Sequence, residues 1–188
     1  MTLSIVSRAG EAPLEGRPAV VLIDGRSGSG KTSLGAGLAA SLGAAALHLD
    51  DLYPGWEGLG AGSRAVAQAL DALSYRRYDW ADAAFAERVA IDPARPLVIE
   101  GCGAVTARNL AAAERFARLS GTERFARSSG DAAVWSVWLE CPAPVRRERA
   151  IGRDGSVFAG QWERWAVQED AQIAAERPLA LVNEILHT

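Results

Sequence analysis

The sequence predicts an α/β fold in three layers, a parallel β-sheet with helices on both faces. Three observations predict it. Short, continuous apolar runs recur along the chain, as buried parallel strands require. Helix-like stretches separate them, and strand–helix–strand units wind into a sheet covered on both sides. The first apolar run also passes into the first helix through a glycine-rich turn. At 188 residues the chain suits a single domain with a real core.

Taken in order, residues 1–18 are polar and irregular, with Pro13 and Pro18, and read as an N-terminal extension. Ala19 to Asp24 is the first strand. A helix follows from Lys31 to Leu42, stopped by Gly43. Ala45 to Leu49 is a second strand, closed by Asp50-Asp51. Residues 63–74 read as a helix. Trp80 to Ala90 reads as another, with Asp79 at its N-cap. Pro96 to Glu100 is a strand, 105–118 a helix, and Ala133 to Leu139 a strand. Pro142 and Pro144 then introduce an arginine-rich helix, Val145 to Ile151, inside a lid expected over about 143–157. A longer helix runs from Phe158 to Ala175, and Leu179 to Val182 is a last short strand. A local duplication stands apart: Glu114-Arg115-Phe116-Ala117-Arg118 recurs as Glu123-Arg124-Phe125-Ala126-Arg127, two copies being too few for a solenoid.

Composition narrows the function. The net charge is −3, so nothing draws the whole chain to nucleic acid or an anionic membrane. No apolar run approaches spanning length, and no signal peptide is visible. Cys102 and Cys141 lack metal-ligand spacing and fit buried thiols in a reducing, cytoplasmic compartment.

The glycine turn carries the chemistry. Gly25-Arg26-Ser27-Gly28-Ser29-Gly30-Lys31-Thr32 fits G-x-x-x-x-G-K-[ST], the phosphate-binding loop, so the expected architecture is the P-loop NTPase one. Glycines let backbone N–H groups turn inward to form an anion nest, and the following helix adds its positive N-terminus. Lys31 is the only lysine in the chain, all other basic positions being arginine. A compact ammonium on a flexible stem fits between phosphates where a planar guanidinium does not. Thr32 offers a hydroxyl to Mg²⁺, and Ser33 is available to the α-phosphate. The loop residues Gly25, Ser27, Gly28, Ser29, Gly30, Lys31, Thr32 and Ser33 are the expected ATP contacts.

In parallel sheets ligands bind at the carboxyl ends of the strands. Asp50, Glu100 and Cys141 each follow a predicted strand and should converge there. Asp50 could accept a proton from an attacking hydroxyl. Glu100 could hold Mg²⁺ directly or through water. Arg146, Arg149 and Arg153 share one helix face and could clamp phosphates. Tyr78-Asp79 suits a sugar or base, Asp79 also serving as a helix cap. His48 reads as a core or rim histidine. The six tryptophans, Trp162 and Trp165 among them, read as core or as the wall of a base pocket.

On these residues the chain resembles the uridine kinase-like family of P-loop kinases, which includes uridine/cytidine kinases and nicotinamide riboside kinases. The matching elements are Ile23-Asp24-Gly25 through Thr32, Asp50-Asp51-Leu52-Tyr53, Tyr78-Asp79, and Val98-Ile99-Glu100-Gly101. The resemblance implies ATP and Mg²⁺ as cofactors and a small-molecule acceptor, most closely a nucleoside. It implies Asp50 as general base, and Lys31, Arg146 and Arg149 on the transferred phosphate. Thr32 and Glu100 would organise Mg²⁺, with Asp79, Tyr78 and Tyr53 on the acceptor. A nucleoside monophosphate kinase, using Arg76 and Arg77 for the acceptor phosphate, is an alternative. So is a nucleotide-binding regulator without turnover. A guanine-nucleotide switch is disfavoured, because its N-K-x-D motif needs a second lysine.

Overall fold

The computed structural model describes residues 18–119 and 133–188. The N-terminal extension up to residue 17 and the second copy of the duplication lie outside them. The first copy ends the helix Ala107–Leu119, where Phe116 is buried.

Five parallel strands form the sheet, in the order β2-β5-β1-β6-β7: β1 is Val20–Gly25, β2 Ala45–His48, β5 Leu97–Glu100, β6 Val134–Glu140 and β7 Glu184–His187. The expected α/β architecture is present. Alternation along β1 builds its layers: Val20 and Leu22 join one apolar cluster, Val21 and Ile23 the other. Helix α1 (Lys31–Leu42) covers the second face with Leu34, Leu38 and Leu42. Helices α2 (Leu59–Ala72), α3 (Ala107–Leu119) and α5 (Trp162–Glu176) contribute to the first.

Helix α1 has the expected bounds, Gly43 closing it with its N–H on the carbonyls of Ala39 and Ala40. Helix α2 begins four residues earlier than the expected 63. Gly62 permits this, since a Cβ there would stand 2.4 Å from Tyr53 Cδ1.

Two expectations are overturned. The helix expected over Trp80 to Ala90 is absent. In its place an antiparallel hairpin joins β3 (Ser74–Asp79) to β4 (Ala84–Ala90). The hairpin gains cross-strand pairs that a helix could not make: Tyr78 against Phe85, their rings 5.3 Å apart, and the Arg77–Glu87 ion pair at 2.7 Å. Asp79 caps the hairpin turn, accepting from the N–H groups of Ala81 and Asp82.

The last strand also lies later than Leu179 to Val182. Pro178 starts a single 3₁₀ turn, Pro178–Ala180, and β7 follows Asn183. Asn183 fixes that start by accepting from Ser136 N–H and Oγ through its Oδ1, each at 2.9 Å.

Helix α4 (Ala143–Ala159) spans the expected lid and is kinked at Gly155, where φ is 66°.

Candidate active site

The phosphate loop links β1 to α1 at the carboxyl edge of the sheet. Gly28 and Gly30 take left-handed conformations, with φ of 78° and 95°. Gly28 also meets a neighbour closely: a Cβ there would lie 2.1 Å from the carbonyl oxygen of Arg146. Behind the loop, buried Asp24 accepts from the N–H groups of Gly25, Gly103 and Val105. Burial nevertheless pushes its pKa up to about 6, against those hydrogen bonds.

Lys31 is buried, and its Nζ donates to Arg26 O at 3.0 Å. Burial disfavours its charge, but the carboxylates of Glu169, Asp24 and Glu100 outweigh this and hold its pKa above the ordinary lysine value. The site is thus built to keep an ammonium charged.

The sheet order explains how the carboxylates meet. Strand β5 lies between β1 and β2, and Glu100 registers with Ile23 on one side and His48 on the other. Thr32 Oγ1 donates toward Glu100 at 3.3 Å. His48 Nδ1 lies 2.7 Å from Glu100 Oε1, which makes His48 a rim residue with a partner at the site.

Asp50 sits in a 3₁₀ turn, Leu49–Asp51, just past β2. Its side chain reaches solvent, but within a walled cleft. Desolvation by the walls raises its pKa, Glu100 adds to the rise, and Lys31 and Arg153 oppose it.

That cleft, about 510 Å³, has two ends. Lys31, Thr32, Asp50, Glu100 and Arg153 supply the charged one. Trp56, Trp80, Phe158 and Trp165 supply an aromatic wall, with Trp56 the hub: its ring lies 4.9 Å from Trp80, 5.6 Å from Phe158 and 6.2 Å from Trp165. Trp80 Nε1 donates to Asp50 O at 2.9 Å, tying the hairpin to the candidate base. A second cavity, about 490 Å³, opens on the other side of the loop against Ser29, Gly30, Ser33, Arg149 and β7.

The structure therefore redistributes several expected residues. Tyr53 lines the cleft, but its hydroxyl is committed to Cys102 O at 2.8 Å. Tyr78 and Asp79 do not line it: Tyr78 packs under Trp80 and Phe85, and Asp79 caps its turn. The three arginines expected on one face of α4 fan out. Arg146 is buried beneath the loop, donating to Cys141 O and Ser27 O. Arg149 faces the second cavity, and Arg153 faces the cleft. A shared helix face held their Cα atoms together, but long side chains reach different targets. Arg76 and Arg77 are engaged within the hairpin, Arg76 with the carbonyls of Ala86 and Phe85 and Arg77 with Glu87.

Sequence reading missed Glu169 and Phe158, and it named Trp56 and Trp80 only within the group of six tryptophans read as core or pocket wall. A glutamate on an apolar helix face was the available signal for Glu169. The aromatic wall draws on α4, α5, the hairpin and a loop, and no local pattern fixes which aromatics form it.

Thr32 and Glu100 are hard oxygen donors, suited to Mg²⁺. Among the described residues no group of three or more His, Cys, Asp and Glu side chains could hold a metal alone.

No protein-family model matches the chain, and no curated protein matches it. Solved structures do. A possible uridine kinase from Bacillus stearothermophilus aligns over 98% of this chain and 96% of its own, at 17% identity and a TM-score of 0.57. A candidate fructose transport system kinase from Silicibacter sp. TM1040 aligns over 99% and 98%, at 18% identity and a TM-score of 0.53. The chain shares the α/β fold of both structures. Among the described residues, no helix is long and apolar enough to cross a membrane.

Proposed function

We propose that the chain is an ATP-dependent kinase that phosphorylates a hydroxyl of a small molecule, with a nucleoside as the favoured acceptor. One observation carries the reading. The lysine of the phosphate loop stands at the charged end of an aromatic cleft that also holds Asp50, while a second cavity flanks the loop's other side. A donor and an acceptor could thus meet across one phosphate.

In this reading the second cavity takes the nucleoside end of ATP, and Ser29, Gly30 and Ser33 face it. The acceptor lies against Trp56 and Trp80, its hydroxyl toward Asp50. Flat aromatic faces suit a base or a sugar. That agrees with the names of both similar structures, one a possible uridine kinase and the other a candidate fructose transport system kinase. Asp50 accepts the hydroxyl proton as the oxygen attacks the γ-phosphorus and the bond to the bridging oxygen of ADP breaks. Its raised pKa moves it toward the range useful to a general base. Lys31 and Arg153 offset charge on the transferred group, and the aromatic wall excludes water. Thr32 and Glu100 would hold Mg²⁺, which would supply positive charge against the phosphates.

The test is ADP release with uridine, cytidine, ribose and hexoses as acceptors. Acceptor-dependent release, strongest with nucleosides, is expected. ADP binding without turnover on any hydroxyl compound would overturn the kinase reading.

A further inference from the structure

The backbone of Ser27 is held from two helices at once. Its N–H donates to Glu169 Oε1 of α5 at 2.7 Å, and its C=O accepts from Arg146 Nη1 of α4 at 3.1 Å. Both side chains are nearly sealed from solvent, Glu169 at 3% and Arg146 at 7% exposure. Burying such charges is costly unless each is paired and hydrogen-bonded, and apolar residues could fill the same space as stably.

Each charge does have partners. Arg146 Nε donates to Cys141 O at 3.0 Å, and its guanidinium lies 5.7 Å from the ring of Trp162, the first residue of α5. Glu169 also accepts from the Cys102 thiol at 3.3 Å and pairs with Arg26 Nη1 at 3.6 Å. Arg26 in turn reaches Asp170.

The connection to Lys31 is direct. The peptide unit whose N–H binds Glu169 is the one whose carbonyl, Arg26 O, accepts from Lys31 Nζ at 3.0 Å and from Ser29 N–H at 3.1 Å. A charged acceptor on one end of a peptide strengthens the carbonyl at the other. Gly28, pressed against the Arg146 carbonyl, leaves the loop no room to slide toward α4.

We propose that Glu169 and Arg146 are positioning residues: they grip Ser27 from two helices and thereby preset the phosphate loop, and Lys31 with it, for a polyphosphate. This rests on the kinase reading only in naming the anion. It assigns Arg146 to the loop itself rather than to the transferred phosphate.

The test compares Glu169→Gln, which keeps an acceptor for Ser27 N–H, with the near-isosteric Glu169→Met, which has none. Calorimetry with ADP, exchange of the Ser27 amide and thermal midpoints are read on each. For Glu169→Met the expected results are an ADP Kd weakened by about tenfold or more and a Ser27 amide that exchanges at least about tenfold faster. Glu169→Gln should stay within about threefold of wild type on both. Arg146→Met repeats the loss from the other helix if Glu169→Met does not fold. Arg146→Lys keeps the charge but not the fork, and should not restore affinity.

The proposal is overturned if Glu169→Met binds ADP like wild type, if its Ser27 amide stays protected, or if Gln and Met variants lose affinity equally. A wild type that binds no ADP would instead sink the kinase reading, and the Ser27 exchange would still decide whether the grip exists.

Discussion

Lys31 and Asp50 divide the proposed work, so their variants should fail differently. Lys31→Ala removes a charge held buried beside Glu100, Glu169 and Asp24, and nucleotide affinity should fall by a factor on the order of 10² with transfer abolished. Asp50→Asn keeps the shape and loses only the proton acceptor. Its ADP affinity should stay within about twofold while turnover falls by about 10² or more. Equal turnover of Asp50→Asn and wild type would remove the base assignment. Asp24 adds a prediction in pH. Its carboxyl titrates at about 6 when folded against an ordinary 3.8, so the folded state holds the extra proton between those values. Stability from this group is therefore greatest below pH about 4, declines as pH rises toward 6, and is flat above, a loss of roughly 3 kcal/mol in all. Urea midpoints for wild type and Asp24→Asn between pH 4 and 7 should show a steeper decline in the wild type than in the variant, which keeps only the contributions of other groups such as Asp50.

The hairpin β3–β4 was hidden in the sequence, yet it supplies Trp80 to the proposed acceptor wall. Trp80 is 39% exposed, packs its tilted ring against Trp56 and fixes the Asp50 carbonyl. Trp80→Ala should raise the acceptor KM by about tenfold, a stacking face and one hydrogen bond being worth roughly 1–2 kcal/mol, and leave ADP affinity unchanged. An unaltered acceptor KM would place the acceptor elsewhere. What was legible follows from range. The phosphate loop is a local pattern with a strand before it and a helix after it, and the sequence reading located both. Residues 80–90 lack strict alternation and are rich in alanine, so their strand depends on partners six or more residues away, Tyr78 with Phe85 and Tyr75 with Val89. Pro178 misled differently: the apolar Leu181 and Val182 serve the core from a turn, leaving the strand to begin after Asn183. The Arg146–Ser27 and Glu169–Ser27 contacts span more than a hundred residues, beyond any motif's reach.

At the scale of the whole molecule, the sheet order makes two sites out of one edge. Inserting β5 between β1 and β2 moves Asp50 one strand away from the phosphate loop and sets Glu100 between them. The cleft opens on that side, while β6 and β7 wall the second cavity on the other. Ligands in the two cavities touch different side chains, so their stabilising effects should be separable. A ligand that binds only the folded state adds about 2.7 kcal/mol when present at 100 times its Kd. ADP alone and the acceptor alone should each raise the thermal midpoint, and together they should raise it by about the sum of the two. Lys31→Ala should lose most of the ADP shift and keep the acceptor shift, whereas Trp80→Ala should do the reverse. If either variant lost both shifts together, while its unliganded midpoint matched the wild type, the two cavities would be acting as one site.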